Sequence, residues 1–108
     1  MIDDVRQKGA TPILVSLTPR NEWPGGKIER RNNSFGKWYR EVVAKTAVEF
    51  VDLHNITADA LDEIGQNDAK EYFKKDHTHT SKKGAKLNAQ SIAKGLRKIN
   101  SPLVKYLK

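Results

Sequence analysis

Two short runs, at residues 12–17 and 48–53, are the segments of this 108-residue chain that favour β-strands. The first is almost continuously apolar, which is typical of a strand buried on both faces of a parallel sheet. Helical patterns lie before, between and after the two runs, and this alternation indicates an α/β fold with right-handed crossovers. Two strands alone leave both edges of a sheet open. We therefore expect residues 1–108 to be a single partial domain, the C-terminal part of a larger α/β sheet whose first strands are absent.

The helices are predicted from apolar residues at three- and four-residue spacing and from residues that commonly begin or end a helix. The first helix covers residues 2–8. The expected start residues of the later helices are Ser34 for the second, Asn55 or Thr57 for the third, and Thr80 or Ser81 for the last. The expected end residues are Gly9, Gly65 and Asn100.

A long loop is expected at residues 18–33, which are rich in Pro, Gly, Asn and Arg and too polar to pack against a core. Within it, Arg20 and Trp23 are candidates for substrate contact, because arginine binds carboxylates and an indole can stack on a sugar. A solvated loop around one buried indole explains the same residues equally well. The two interpretations also apply to the other basic residues of the loop, Lys27, Arg30 and Arg31.

Composition narrows the class of protein. The chain has no cysteine, which excludes disulfides, thiolate metal sites and cysteine nucleophiles. No apolar run approaches the roughly 20 residues that a membrane span needs. The acidic start at residues 1–4 does not resemble a secretion signal. The sequence does not determine the cellular compartment of the protein.

The net charge of +7 suggests an anionic partner such as nucleic acid, an acidic polysaccharide or a membrane surface. Many of the lysines, however, belong to the last helix and lie away from its apolar stripe, as on an ordinary solvated face. No aromatic residues are interleaved with them to stack on bases, so a nucleic-acid partner is not favoured.

The segment Asp76-His77-Thr78-His79-Thr80-Ser81 places a carboxylate three residues before a histidine, just ahead of the last helix. A histidine that takes a proton from a hydroxyl nucleophile needs a carboxylate to fix its tautomer, so Asp76 and His79 are candidates for the acid and base of a catalytic triad. Three other interpretations stay open on spacing alone. His79 could be a loop histidine bonded to a carbonyl, Asp76 could cap a turn, and His77 with His79 and Asp76 could form part of a metal site.

Four segments of the chain together carry a resemblance to a known family: Glu49-Phe50-Val51-Asp52-Leu53, Tyr72-Phe73-Lys74-Lys75-Asp76-His77-Thr78-His79-Thr80-Ser81, Gly84-Ala85 and Leu17-Thr18-Pro19-Arg20. In these segments the chain resembles the end of an SGNH (GDSL-type) hydrolase, and most of all the rhamnogalacturonan acetylesterases. The resemblance implies a three-layer, flavodoxin-like α/β fold. It also implies hydrolysis of acetyl esters on a pectic polysaccharide, with His79 as general base, Asp76 orienting it, and no metal or cofactor. The complete protein would then act outside the cytoplasm.

Three blocks of that family are missing from the chain: the Gly-Asp-Ser block with the nucleophile serine, and the glycine and the Gly-x-Asn-Asp asparagine of the oxyanion hole. Asn67 lies after the second strand run and is not given the oxyanion role. The serines each have a plain structural place, and none lies in a strand-turn-helix elbow. The isolated chain is therefore expected to be nearly inactive, because an acid–base pair alone lacks the groups on which acyl transfer most depends.

Two further possibilities complete the expectations. The chain could be a small basic module that binds an anionic partner without catalysis. Its exposed sheet edge could also be covered by self-association, which would complete the sheet with a second copy.

Overall fold

The computed structural model of the chain describes residues 1–30, 35–76 and 78–107. Its helices and strands in this part of the chain are α1 (Ile2–Gln7), β1 (Ile13–Val15), α2 (Phe35–Thr46), β2 (Glu49–Val51), α3 (Leu53–Ile64), α4 (Gln66–Ala69) and α5 (Lys82–Lys98). Short 3-10 helices lie at Pro24–Gly26, Lys70–Tyr72 and Pro102–Tyr106. The predicted cap Ser34 and the loop residues Arg31 and His77 fall outside the described residues.

The two strands form a parallel sheet in the order in which they occur in the chain, with Ile13 opposite Glu49 and Val15 opposite Val51. The fold is thus mixed α/β and mostly helical, as the alternation of elements predicts. The expectation that the first strand is buried on both faces is wrong. Val15 is 38% exposed and its two neighbours in β1 are only half-buried. A sheet of two strands is too narrow to cover both faces of an apolar strand.

Helix α3 begins directly after β2, at a cap residue three positions earlier than the nearer of the expected starts. Asp52 is its N-cap residue, and its side chain accepts hydrogen bonds from the backbone N–H of Asn55 at 3.3 Å and from the Asn55 amide at 2.7 Å. A carboxylate at this position satisfies an amide of the first helical turn that otherwise has no partner. Asn55 therefore lies inside the first turn as a partner of the cap, whereas Gly65 ends the helix as expected.

The loop after β1 packs against the core, contrary to the expectation that it is too polar to do so. Ile28 is 3% exposed and lies in the apolar cluster formed with Ala58, Leu61, Ala69 and Phe73. Trp23 of the same loop packs against this cluster, and polar groups fix the chain beside Ile28.

Asp62 of α3 provides that fixation. It accepts the backbone N–H of Ile28 at 2.9 Å and the guanidinium of Arg30 at 2.5 Å. Arg30 also contacts Asp59 at 2.9 Å. The loop is therefore joined to α3 by a half-buried ion pair and by its apolar anchor.

Helix α5 begins at the cap Ser81, one of the two expected residues, whose side chain accepts the backbone N–H of Gly84. Its lysines and arginine are exposed, as expected for a solvated face: Lys82, Lys83, Lys86, Lys94, Arg97 and Lys98. Within the described residues, none of the helices has the length and apolar character needed to cross a membrane.

Gly95 allows α5 to touch the sheet, and its replacement tests this packing. A Cβ at Gly95 would lie 2.5 Å from the Val51 Cγ1 and 3.3 Å from the Ile56 Cδ1. We expect Gly95→Ala to lower the free energy of unfolding by about 1–3 kcal/mol, although alanine is the better helix former. Urea denaturation followed by circular dichroism measures the change.

Val51→Ala provides the control, because it removes the atom that the new methyl would meet. In that background Gly95→Ala should be close to neutral or stabilising. An equal loss in both backgrounds would show that contact with Val51 is not the cause.

Candidate functional site

The loop at residues 73–80, which we call the Asp-His loop, is closed at its base by backbone pairing. Phe73 and Thr80 form an antiparallel bridge. The backbone N–H of Lys74 donates to the carbonyl of His79 at 2.8 Å, and that of Ser81 donates to the carbonyl of Tyr72 at 3.1 Å. The Asp-His loop is therefore a tight excursion between the 3-10 turn at Lys70–Tyr72 and α5.

Gly84 determines how closely α5 approaches this base. A Cβ at that position would overlap the carbonyl oxygen of Tyr72 and would come to 3.0 Å from the Cβ of Thr80. The absence of a side chain lets the first turn of α5 lie directly against both strands of the loop base. Gly84 carries part of the sequence resemblance, and this contact is its physical reason.

Asp76 and His79 are brought together as the spacing predicts. The Asp76 Oδ2 lies 2.8 Å from the His79 Nδ1. The other carboxylate oxygen, Oδ1, accepts the backbone N–H groups of His79 at 2.7 Å and of Thr78 at 2.8 Å. The same carboxylate thus shapes the turn and holds the imidazole, so the capping interpretation and the acid–base interpretation describe one arrangement.

These hydrogen bonds hold the pKa of Asp76 well below its usual range. The backbone N–H of His79 contributes most, followed by its ring and by the backbone N–H of Thr78. Each donor stabilises the ionised carboxylate. Asp76 is therefore a carboxylate at neutral pH, an acceptor that favours the His79 tautomer with its proton on Nδ1.

In the tautomer with the proton on Nδ1, the His79 Nε2 has a free lone pair. The His79 side chain is 71% exposed, and Nε2 has no hydrogen-bond partner among the described residues. An imidazole with Nδ1 fixed by a carboxylate and Nε2 open can accept a proton from a hydroxyl group brought to it from outside.

The described serines are bonded elsewhere, and none reaches His79. Ser16 is buried at the end of β1, where it donates to the Asp52 Oδ1 and accepts the backbone N–H of His54. Ser91 is buried and accepts from Thr57, and Ser101 caps the last 3-10 helix. Ser81 caps α5 and donates to the carbonyl of Glu71.

His54 is a buried histidine that the sequence analysis did not identify as a candidate. Its Nδ1 lies 2.8 Å from the carbonyl oxygen of Leu17, and its Nε2 is buried without a partner in the described part of the chain. Together with Ser16 and Asp52, His54 forms hydrogen bonds that connect the carboxyl ends of β1 and β2. The Asp-x-His pattern directly after a strand is the signal that could have revealed it.

The two substrate candidates have different positions. Arg20 is exposed, whereas Trp23 is half-buried against the apolar cluster and donates from its indole to Asn21 at 2.7 Å. Neither forms a hydrogen bond with Asp76 or His79 in the described structure. Pro19 does line a small crevice together with Phe73 and Thr80, so the loop after β1 reaches the base of the Asp-His loop.

A metal site would need a further set of ligands. No group of three or more His, Cys, Asp and Glu side chains with suitable placement occurs among residues 1–30, 35–76 and 78–107. His77, on which the metal interpretation depended, lies outside them.

The lowered pKa of Asp76 makes a prediction about stability and pH. Since the pKa is lower in the folded chain than the value near 3.9 of an unfolded chain, ionisation of Asp76 favours folding. This contribution is complete well above pH 4 and is lost as the pH falls below about 4. We expect Asp76→Asn to give a flatter decline in unfolding free energy between about pH 5 and 2 than the wild type.

His79→Ala separates the two sources of the effect, because it removes the ring and retains both backbone donors. Its pH profile should lie between those of the wild type and Asp76→Asn. Coincident wild-type and Asp76→Asn profiles would contradict the role of Asp76 as the ionised acceptor.

Comparisons with known proteins agree with the motifs. No protein-family model matches the chain. It is 28% identical over 90 residues to a rhamnogalacturonan acetylesterase of Emericella nidulans, covering 83% of this chain and 37% of the relative. It is 28% identical over 111 residues to the probable rhamnogalacturonan acetylesterase YesY of Bacillus subtilis, covering 98% and 51% of the two chains. The rhamnogalacturonan acetylesterase RhgT of the same species is 26% identical over 120 residues, with coverage of 97% and 52%.

The fold also has a counterpart among solved structures. The crystal structure of protein YxiM from Bacillus subtilis superimposes with a TM-score of 0.79 at 20% identity, covering 92% of this chain and 29% of that one. The chain thus spans about half, or less, of the length of the curated relatives it matches. The resemblance to rhamnogalacturonan acetylesterases that the motifs predict is confirmed across most of this chain.

Proposed function

We propose that this chain is the C-terminal part of a serine esterase with a three-layer SGNH fold, and that the complete protein removes acetyl groups from a rhamnogalacturonan-type polysaccharide. The observation that carries the proposal is the Asp76–His79 pair, in which a carboxylate fixes Nδ1 and leaves Nε2 open to solvent. The similarity to named acetylesterases supports the choice of an acetyl ester as substrate.

In the proposed reaction, the His79 Nε2 accepts the hydroxyl proton of a serine that this chain does not supply. The serine oxygen bonds to the acetyl carbonyl carbon, and an oxyanion hole from the same missing part stabilises the tetrahedral oxyanion. The imidazolium, stabilised by Asp76, returns the proton to the departing sugar hydroxyl as the ester bond breaks. Water then attacks the acetyl-serine with His79 again as base, which releases acetate and restores the serine.

The first test is to translate in frame the DNA that precedes the Met1 codon. Gly-Asp-Ser and Gly-x-Asn-Asp blocks there would support the proposal. An independent start signal with neither block would favour a non-catalytic basic module instead.

Variants of the protein joined to that upstream segment test the base directly. We expect His79→Ala to lower kcat for acetylated rhamnogalacturonan by at least about a thousandfold, because the nucleophile then has no proton acceptor. Asp76→Ala should also lower kcat, through loss of the orienting carboxylate. Initial rates of acetate release are the measurement.

His77→Ala is the matched control, since it removes a histidine from the same loop and should leave kcat within about threefold of the wild type. A large loss in His77→Ala with little loss in His79→Ala would show that the base is assigned to the wrong residue. Robust ester turnover by the 108 residues alone, unchanged in His79→Ala, would contradict the chemistry as a whole.

The open edge of the sheet generates a separate prediction. β1 pairs with β2 on one side, and no strand among the described residues pairs with its other side. Val15 and Leu17 beside this edge are exposed. An unpaired apolar edge is a template for another strand, so we expect the isolated chain to self-associate.

Light scattering coupled to gel filtration measures this self-association as a mass that rises with concentration. Val15→Lys with Leu17→Lys should shift the protein toward the monomer, because edge lysines oppose strand pairing. Leu103→Lys, at an exposed leucine near the C-terminus, is the control and should not. A monomer at every concentration, or equal dissociation by the control, would contradict pairing through this edge.

A further inference from the structure

Positive charge is concentrated around the Asp-His loop. Residues 68–86 contain six lysines and three acidic residues, Asp68, Glu71 and Asp76. All six lysines are exposed. The surface around the proposed base therefore carries a local excess of cations.

Most of these lysines form no ion pair with another described residue. Lys83 is the exception: it pairs with Glu71 at 2.7 Å and lies over the ring of Tyr72. Asp76 is engaged with His79 and two backbone amides. Four lysines close to the loop form no ion pair with any described residue: Lys74, Lys75, Lys82 and Lys86. We call these four the lysine rim.

The lysine rim lies on both sides of the Asp-His loop. Lys74 is directly across the loop base from His79, because its N–H donates to the His79 carbonyl. Lys75 follows it, immediately before Asp76. Lys82 and Lys86 are one turn apart at the start of α5 and so share one face of the helix.

The placement of the rim lysines on α5 is unfavourable for the helix itself. The first turn of α5 contains no acidic residue, and it begins with two lysines. The positive end of the helix dipole disfavours cations there, and like charges four residues apart repel. A solvated helix face does not require this arrangement, whereas a bound polyanion would offset both costs.

We propose that the lysine rim binds the uronate carboxylates of an acidic polysaccharide and holds that backbone beside His79. The inference rests on the proposed function and adds to it a contact surface for the substrate. A polyuronide presents one carboxylate at each uronic acid unit along an extended chain, so several weak lysine contacts act together. The aromatic residues beside the rim are not open for stacking on bases, because Phe73 is buried and the half-buried Tyr72 ring lies under the Lys83 ammonium, which favours a uronate chain over single-stranded nucleic acid.

Binding of unsubstituted oligogalacturonate to the 108-residue chain tests the proposal without any need for catalysis. Isothermal titration calorimetry at about 20 mM salt should detect binding, and about 200 mM salt should weaken it strongly. Neutral galactan should not bind. Lys74→Gln with Lys75→Gln, and separately Lys82→Gln with Lys86→Gln, should each weaken binding by about fivefold or more.

Lys94→Gln with Lys98→Gln is the matched control, since it removes the same charge from the far end of α5. It should change affinity by less than about twofold. If the control weakens binding equally, the effect comes from net charge alone and the proposal is overturned. Absence of binding to oligogalacturonate would overturn it as well. Stronger binding of a single-stranded oligonucleotide than of oligogalacturonate would also overturn it, in favour of a nucleic-acid surface.

The experiment separates this inference from the proposed esterase function. His79→Ala should leave oligogalacturonate binding unchanged while it abolishes ester hydrolysis in the protein joined to its upstream segment. If hydrolysis depends on His79 but binding does not depend on the lysine rim, the rim is not the polyuronide-binding surface and the proposed esterase function stands. Rim-dependent binding without any hydrolysis would refute the esterase and leave a polyuronide-binding surface.

Discussion

The close approach of α5 at two glycines is the constraint on which the rest of the structure depends. Gly84 and Gly95 are eleven residues apart, which is about three helical turns, so both lie on the same face of the helix. Gly95 brings that face against Val51 of the sheet, and Gly84 brings it against the Tyr72 carbonyl at the base of the Asp-His loop. One helix face thereby fixes the loop relative to the sheet. A side chain at either glycine would push α5 away from the sheet or from the base of the Asp-His loop, and would weaken the link between the Asp76–His79 pair and the sheet.

Within the loop, hydrogen bonds and not Coulomb attraction define the acid–base pair. Asp76 is half exposed and His79 is mostly exposed, so water screens the attraction between them. The backbone donors of Thr78 and His79 do not depend on the protonation of the imidazole, and they hold the carboxylate in place when the ring is neutral. The carboxylate is thus in position before the imidazole gains a proton. A bound substrate that excludes water would then strengthen the attraction between Asp76 and the imidazolium.

The sequence predicts those features that depend on neighbouring residues. The order of helices and strands, the end of α3 at Gly65, the cap Ser81 and the contact between Asp76 and His79 all follow from local spacing. The wrong predictions concern positions where contacts between distant residues determine the start of a helix or the burial of a side chain. Asp52, and not Asn55 or Thr57, is the N-cap of α3, because β2 ends beside it. Ile28 is buried against α3, where Asp62, 34 residues away, accepts its backbone N–H. The reason for Gly84 is likewise a contact with Tyr72, twelve residues earlier, that no periodicity reveals.

The division of the proposed site between two parts of a protein follows from what each catalytic group requires. A general base needs a partner that fixes its tautomer, and Asp76 meets this need within the same turn, so both groups can belong to one short segment. A nucleophile and an oxyanion hole require groups that converge on one point at other strand ends, and at the ends of β1 and β2 the side chains of Ser16 and Asp52 are bonded to each other. In the proposed reaction, the exposed His79 Nε2 acts on a serine supplied from outside this chain. The lysine rim lies on both sides of the same loop, and in the proposal its positive charge attracts a polyanion to the position beside His79.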